Sequence, residues 1–199
     1  MRRIVIGILL AAALPAAGLE ESKAVGPERL ADILKQYRSI EAISATFKQK
    51  KTFQDIKMEL KSEGRFEISR PNKTVLWEVS VPSRLQVVMN EKELRLASDD
   101  STQVLKLSEI GGDKASRSLG ALVAWLELDA SKLAGQYTIN EITATRFRFT
   151  PKDKVASIFL ELDMWLDKQG YLTRLVINEK SGDRLDIEFG PPKLDRAKK

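Results

Sequence analysis

The side chains with the most evident capacity for chemistry are Glu161 and Asp163, two carboxylates separated by one residue in Ile158-Phe-Leu-Glu-Leu-Asp163. Their alternation with Leu160 and Leu162 has a period of two, so both carboxylates face one side of a strand. Paired carboxylates can serve general acid–base catalysis or glycoside hydrolysis. On an exposed strand face, however, they are ordinary solvent-facing decoration, and that is the expectation here. Little else could carry a reaction. The sequence contains no Cys and no His, which excludes Cys/His zinc sites, Ser-His-Asp triads, cysteine nucleophiles and a histidine base. It has no phosphate loop, dinucleotide fingerprint or metal-ligand spacing. The expectation is a non-enzymatic protein with no catalytic residues, metal or cofactor.

The apolar residues are more telling than the polar ones. Ile43, Ala45 and Phe47 alternate, as do Met58 and Leu60, then Gly64, Phe66 and Ile68. Val75, Trp77, Val79 and Val81 follow, then Leu85, Val87 and Met89. Such alternation gives each strand one face toward an apolar interior and one toward water. Asn90-Glu-Lys, Ser98-Asp-Asp-Ser, Asp167-Lys-Gln-Gly170 and Ser181-Gly-Asp183 supply the turns,. Further strands are predicted at Tyr137–Ile139, Arg146–Phe149, Ile158–Leu166, Tyr171–Asn178 and Leu185–Phe189, with Pro191-Pro192 ending the ordered part. An antiparallel sheet of this length twists and curls into a barrel or half-barrel. Its inner face would carry Phe47, Leu60, Phe66, Ile68, Trp77, Val79, Val87 and Met89.

Three helices are predicted beside the strands. Gly26-Pro27 opens the first, with Leu30, Ile33, Leu34 and Tyr37 at helical spacing,. The segment Lys114–Leu126 places Leu119, Leu122, Val123 and Leu126 on one stripe,. Asp129 looks like the N-cap of a short helix through Ala134 that Gly135 stops,. Side chains alone could fill the interior, or the helices could lie over it as a lid above an apolar groove.

Residues 1–18 read as a signal peptide: Arg2 and Arg3, an apolar run from Ile4 to Leu14, and small residues Ala16-Ala17-Gly18 at the cleavage site,. Cleavage after Ala17 is the second choice, and a retained anchor is disfavoured because the run is short for a span. No Cys stands there to be lipidated. Residues 19–193 read as one domain and 194–199 as a mobile basic tail. The formal charge of +5 is spread along the chain, apart from Lys48-Gln-Lys-Lys51 and the tail. This mixing argues against nucleic-acid binding and allows a mild attraction to anionic headgroups.

Taken together, Ile43-Ser-Ala-Thr-Phe-Lys-Gln-Lys50, Gly64-Arg-Phe-Glu-Ile-Ser-Arg-Pro-Asn72, Trp77-Glu78 and Pro82 resemble the periplasmic lipoprotein carriers of the LolA-like family. Phe149-Thr-Pro-Lys152 and Phe189-Gly-Pro-Pro-Lys193 look like further landmarks of it. The resemblance implies an α+β fold in which an unclosed, strongly curved antiparallel sheet carries a lid of short helices over an acyl-binding groove. It also implies a monomeric periplasmic carrier that takes lipoproteins from an inner-membrane exporter to an outer-membrane receptor. The counterpart of the family's gate arginine is Arg70, which alternation puts on the face of Phe66 and Ile68. An inward guanidinium is costly unless its donors find acceptors, and the resemblance points to lid carbonyls near Leu119–Leu126. The Asn90–Val104 segment lacks the family's aromatic hairpin and the C-terminus is shorter. A divergent carrier of another envelope amphiphile, such as a glycolipid or acylated polyketide, is therefore the alternative.

Overall fold

The computed structural model describes residues 23–37, 39–90, 92–106, 130–155, 157 and 159–196. Among these residues the chain forms one unclosed antiparallel sheet of thirteen strands and two short α-helices. The first strand is β1 (Lys23–Ala24), followed by helix α1 (Pro27–Ile33) and a 3₁₀ turn at Lys35–Tyr37. The meander then runs through β2 (Ile40–Phe53), β3 (Met58–Ser69), β4 (Thr74–Val81), β5 (Leu85–Met89), β6 (Glu93–Ser98) and β7 (Thr102–Lys106). Helix α2 (Ala130–Gln136) leads into β8 (Tyr137–Thr143), β9 (Arg146–Pro151), β10 (Phe159–Leu166) and β11 (Leu172–Glu179). The chain ends with β12 (Arg184–Phe189) and β13 (Lys193–Arg196).

The spatial order is β1-β8-β9-β10-β11-β12-β2-β3-β4-β5-β6-β7. Two consecutive meanders are thus sewn together where β12 pairs with β2, and that junction sets the inner face. Residues directly opposite in an antiparallel pair point to the same side. Following Phe149↔Leu162↔Ile177↔Leu185 in one row and Ile187↔Gln49 and Phe189↔Phe47 beside it carries one face across the junction. It continues through Ala45↔Phe66↔Trp77↔Val87↔Leu96.

The helices cover only one part of this face. Pro27 starts α1 at its first turn, and the buried residues Leu30 and Ile33 face inward,. They join Leu133 of α2 in a core with Ile139, Phe147, Phe149 and Leu162. Tyr37 is also buried there, its hydroxyl accepting a hydrogen bond from the Leu172 amide at 3.0 Å. Burial pushes the Tyr37 phenol up to about 12,.

Three expectations change. Gly135 does not stop α2, which continues to Gln136 and runs directly into β8; nothing lies within 4 Å of a Cβ at Gly135. The supposed tail from residue 194 is mostly ordered: Lys193–Arg196 pairs with Ile40–Ser44 along the same edge of β2 that holds β12. Gly190-Pro191-Pro192 spans the interruption between the two pairings, as prolines without an amide can at a bulge,. Arg196 holds the end, donating to Ser39 Oγ at 2.8 Å and to Tyr171 at 2.9 Å. Leu160 falls at a register shift between Phe159 and Glu161 and is exposed rather than inward. The signal segment 1–18 and the lid residues Leu119, Leu122, Val123 and Leu126 lie outside the described residues, as does the cap at Asp129.

Candidate functional site: an apolar inner face

Beyond the part covered by α1 and α2, the inner face is built around four aromatic rings. Phe47 and Trp77 stack with centroids 4.0 Å apart and an interplanar angle of 21°. Phe66 lies 6.2 Å from Trp77, and Phe189 meets Phe66 edge-on at 5.3 Å. Such ring pairs contribute about 0.5–1.5 kcal/mol each beyond the area they bury. The floor depends on Gly64. A Cβ there would stand 1.9 Å from the Glu78 carbonyl oxygen and 2.8 Å from Phe47 Cζ. Only a residue without a side chain lets the Phe47 ring lie across β3 toward Trp77.

The eight residues expected inside have unequal positions. Phe47, Val79 and Met89 are buried. Phe66, Ile68, Trp77 and Val87 are half-buried, leaving part of each apolar surface accessible. Leu60 shares their face in the register but is 43% exposed, because β3 extends past the end of its pairing with β4. Pattern reasoning missed the C-terminal contribution: Ile187 is buried against Phe47 and Val79, with Leu185 and Phe189 packed on the same cluster. Their own alternation was the available signal, but the strand they would face was not readable.

The apolar floor ends toward the tip of the β2–β3 hairpin in a polar belt. Gln49 donates to Ser62 Oγ at 2.7 Å across the pair that follows Phe47↔Gly64. Lys51, one step further on the same face, forms an ion pair with Glu179 and lies 3.8 Å from Asp183. At the opposite end stands Arg70, in the turn after β3. Its amide donates to the Glu41 carbonyl at 2.8 Å, and its side chain is half-buried. Burial lowers the guanidinium pKa from its ordinary value,.

The carboxylate pair sits on the other face of the sheet, and Asp163 is not decoration there. It is 5% exposed, accepting from Arg148 Nε at 2.7 Å and Nη2 at 2.8 Å and from Arg146 Nη2 at 2.9 Å. Desolvation pushes the carboxyl upward, but the hydrogen bonds from Arg148 and Arg146 outweigh it and hold the pKa below the usual carboxylate range,. Glu161 accepts from Asn178 at 2.9 Å and lies 3.4 Å from Arg148. Arg146 and Arg174 flank the Trp165 ring at 5.0 and 5.1 Å. The two guanidiniums hold Asp163 ionised at neutral pH, and with Arg174 across Trp165 the cluster ties β9, β10 and β11 together.

The class of fold is thus an open antiparallel sheet with a half-exposed aromatic floor on its inner face. Residues 38–197 match the family model described as outer membrane lipoprotein carrier protein LolA, and the chain belongs to that family. The family is one of lipid or lipoprotein carriers rather than enzymes. No curated protein matches the sequence. Similar solved structures include a LolA superfamily protein from Nitrosomonas europaea, 14% identical over 88% of this chain and 96% of that one, with a TM-score of 0.45. Another is the lipoprotein LppX of Mycobacterium tuberculosis, 11% identical over 86% of this chain and 100% of that one, TM-score 0.45. A third is LprF of Mycobacterium bovis, 12% identical over 84% and 94%, TM-score 0.39. No described helix is long and apolar enough to cross a membrane.

Proposed function

We propose that the protein is a periplasmic carrier that shields lipoprotein acyl chains on the inner face of β12 and β2–β6 and shuttles them from the inner to the outer membrane. The observation that carries this reading is the half-exposed aromatic floor of Phe66, Trp77 and Phe189 beyond the part covered by α1 and α2. Each buried methylene contributes about 0.8 kcal/mol, so about eight laid along the floor gain about 6 kcal/mol. That is enough to draw an acyl chain out of water and small enough to be reversed on delivery. The Gln49–Ser62 belt suits the polar end of the cargo, where the chain joins its peptide.

In this reading residues 1–18 direct export, and the domain beginning at residue 19 works as a monomer between an exporter and a receptor. Arg70 is the gate. A guanidinium that burial disfavours gains most from carbonyl acceptors, and the segment around Leu119, Leu122, Val123 and Leu126 would supply them as a lid. Arg70→Leu keeps apolar bulk and removes the donors, so loading or release should change; unchanged rates of both would exclude the gate.

Native mass spectrometry of the protein, purified from the periplasm without detergent, tests the cargo. The expected species carries the added mass of an acylated peptide or lipoprotein. A glycolipid or other lipid mass in its place would overturn the lipoprotein assignment while keeping the groove.

A further inference from the structure

The exposed large apolar side chains are not scattered. Among the described residues, seven of the eight lie toward one end of the sheet, with Val104 on β7 the exception. That end gathers the β2–β3, β4–β5, β6–β7 and β11–β12 turns and the β9–β10 loop, because antiparallel meanders put alternate connections on the same side,. The rim is tied together rather than loose. The Gln54 amide of the β2–β3 turn donates to Asp183 Oδ1 at 3.1 Å in the β11–β12 turn. Lys180 of that turn donates to the carbonyls of Lys154 and Val155 in the β9–β10 loop.

Three of the tips share a pattern. Ile56, 64% exposed, precedes Lys57; Val155, 81% exposed, follows Lys154; Leu85 follows Arg84. Each tip therefore presents an apolar side chain beside an exposed cation. The β2–β3, β4–β5 and β11–β12 turns and residues 152–155 together carry five cations (Lys57, Arg84, Lys152, Lys154 and Lys180) against three acids (Asp55, Asp153 and Asp183); Asp183 accepts from Gln54, and Asp153 accepts from the Val155 amide at 3.0 Å. The acidic β6–β7 turn, with Asp99 and Asp100, stands apart at the β7 edge of the sheet and carries no apolar side chain. At the other end of the sheet, none of the described turns carries an exposed large apolar residue.

We propose that this rim docks on an anionic phospholipid surface. Ile56 and Val155 enter the boundary between headgroups and acyl chains, while Lys57, Arg84 and Lys154 lie among the phosphates. Long basic stems beside short apolar side chains suit an interface that is apolar below and charged above. Met58 and Leu60 share the face of Phe47 and Trp77, with the Gln49–Ser62 and Lys51–Glu179 belt between them, so a docked rim would orient the aromatic floor toward the bilayer from behind that belt. The inference rests on the rim alone and goes beyond the carrier reading.

The test is flotation of the purified protein with vesicles of phosphatidylcholine, with and without phosphatidylglycerol, at low and high salt. Binding is expected to the anionic vesicles, falling about fivefold for each lysine neutralised in Lys57→Gln and Lys154→Gln and weakening with salt. Ile56→Asp together with Val155→Asp should abolish it. These side chains are exposed, so melting temperatures should stay unchanged, and Lys168→Gln at the opposite end should bind like the parent. Absence of binding at low salt, indifference to the rim substitutions, an equal loss in Lys168→Gln, or equal binding to neutral vesicles would each overturn the proposal. Rim effects seen only on capture of a protein partner would do the same. A soluble acyl probe titrated into the same variants separates the two readings, because rim substitutions should leave its affinity intact.

Discussion

Gly64→Ala is the smallest change that reaches the heart of the inner face. The added carbon would stand 1.9 Å from the Glu78 carbonyl oxygen and 2.8 Å from the Phe47 ring. Two effects oppose each other. Replacing Gly by Ala restricts the unfolded chain and favours folding by about 0.4–1 kcal/mol. Overpacking costs about 1–3 kcal/mol, and the upper end applies where the atom in the way is backbone in a paired strand rather than a flexible side-chain end. The net is a loss of about 2 kcal/mol. For a domain of this size, that lowers the melting temperature by roughly 4–8 °C. Relief requires β3 and β4 to part locally or the Phe47 ring to move off Trp77. Thermal unfolding should thus show the drop, near-ultraviolet circular dichroism should show weakened aromatic coupling, and an acyl probe should bind less tightly. A variant that melts within about 1 °C of the parent and keeps its aromatic spectrum would refute the role given to Gly64.

Other outcomes follow from the same geometry. Gly135→Ala, in open space within α2, should raise stability by about 0.5–1 kcal/mol in urea unfolding. Asp163→Asn leaves Arg146 and Arg148 without their shared anion and should cost about 2–3 kcal/mol; both guanidiniums remain partly in water, which keeps the loss below that of a fully buried pair. Because Asp163 and Asp186 both have native pKa values below the ordinary 3.8, their contribution is complete above that value. It is lost as the pH falls toward their native values, so urea midpoints should be flat near neutrality and decline below about pH 4. Tyr37 has the opposite sign: its phenol is raised to about 12, so stability should fall as the pH climbs from about 10 through 12. Tyr37→Phe should blunt that alkaline loss.

Much of the inner face was readable because its strands are consecutive. From β2 to β5 each apolar alternation meets the next across a short turn: Ala45, Phe66, Trp77 and Val87 fall into one row, and Phe47, Gly64, Val79 and Leu85 into the row beside it. The partnership of β12 with β2 joins residues more than a hundred positions apart, and neither strand's pattern specifies the other. That is why Ile187 and Phe189 were legible as strand residues but not as part of the floor. Asp163 was misread for a related reason: Arg146 and Arg148 lie on the neighbouring strand, and their convergence on one carboxylate depends on the β9–β10 register. Gly135 shows the limit of local signals. As a helix stop it needs a left-handed backbone, yet among the described residues only Gly170 and Gly182 are glycines with positive φ. Arg70 is singled out by family resemblance, and alternation with Phe66 and Ile68 turns it inward; the structure places it half-buried in the turn after β3.

The central claim is that acyl chains lie on the aromatic floor of β12 and β2–β6. Photocrosslinking with a lipopeptide carrying a diazirine near the end of its acyl chain tests it most directly, with the modified residues located by peptide mass spectrometry. Labels on Phe66, Trp77, Val87 or Phe189 are predicted, and they should disappear when an excess of unlabelled lipopeptide competes. Labels confined to the Arg146–Asp163–Arg174 face, or spread over the surface and insensitive to competition, would contradict the account.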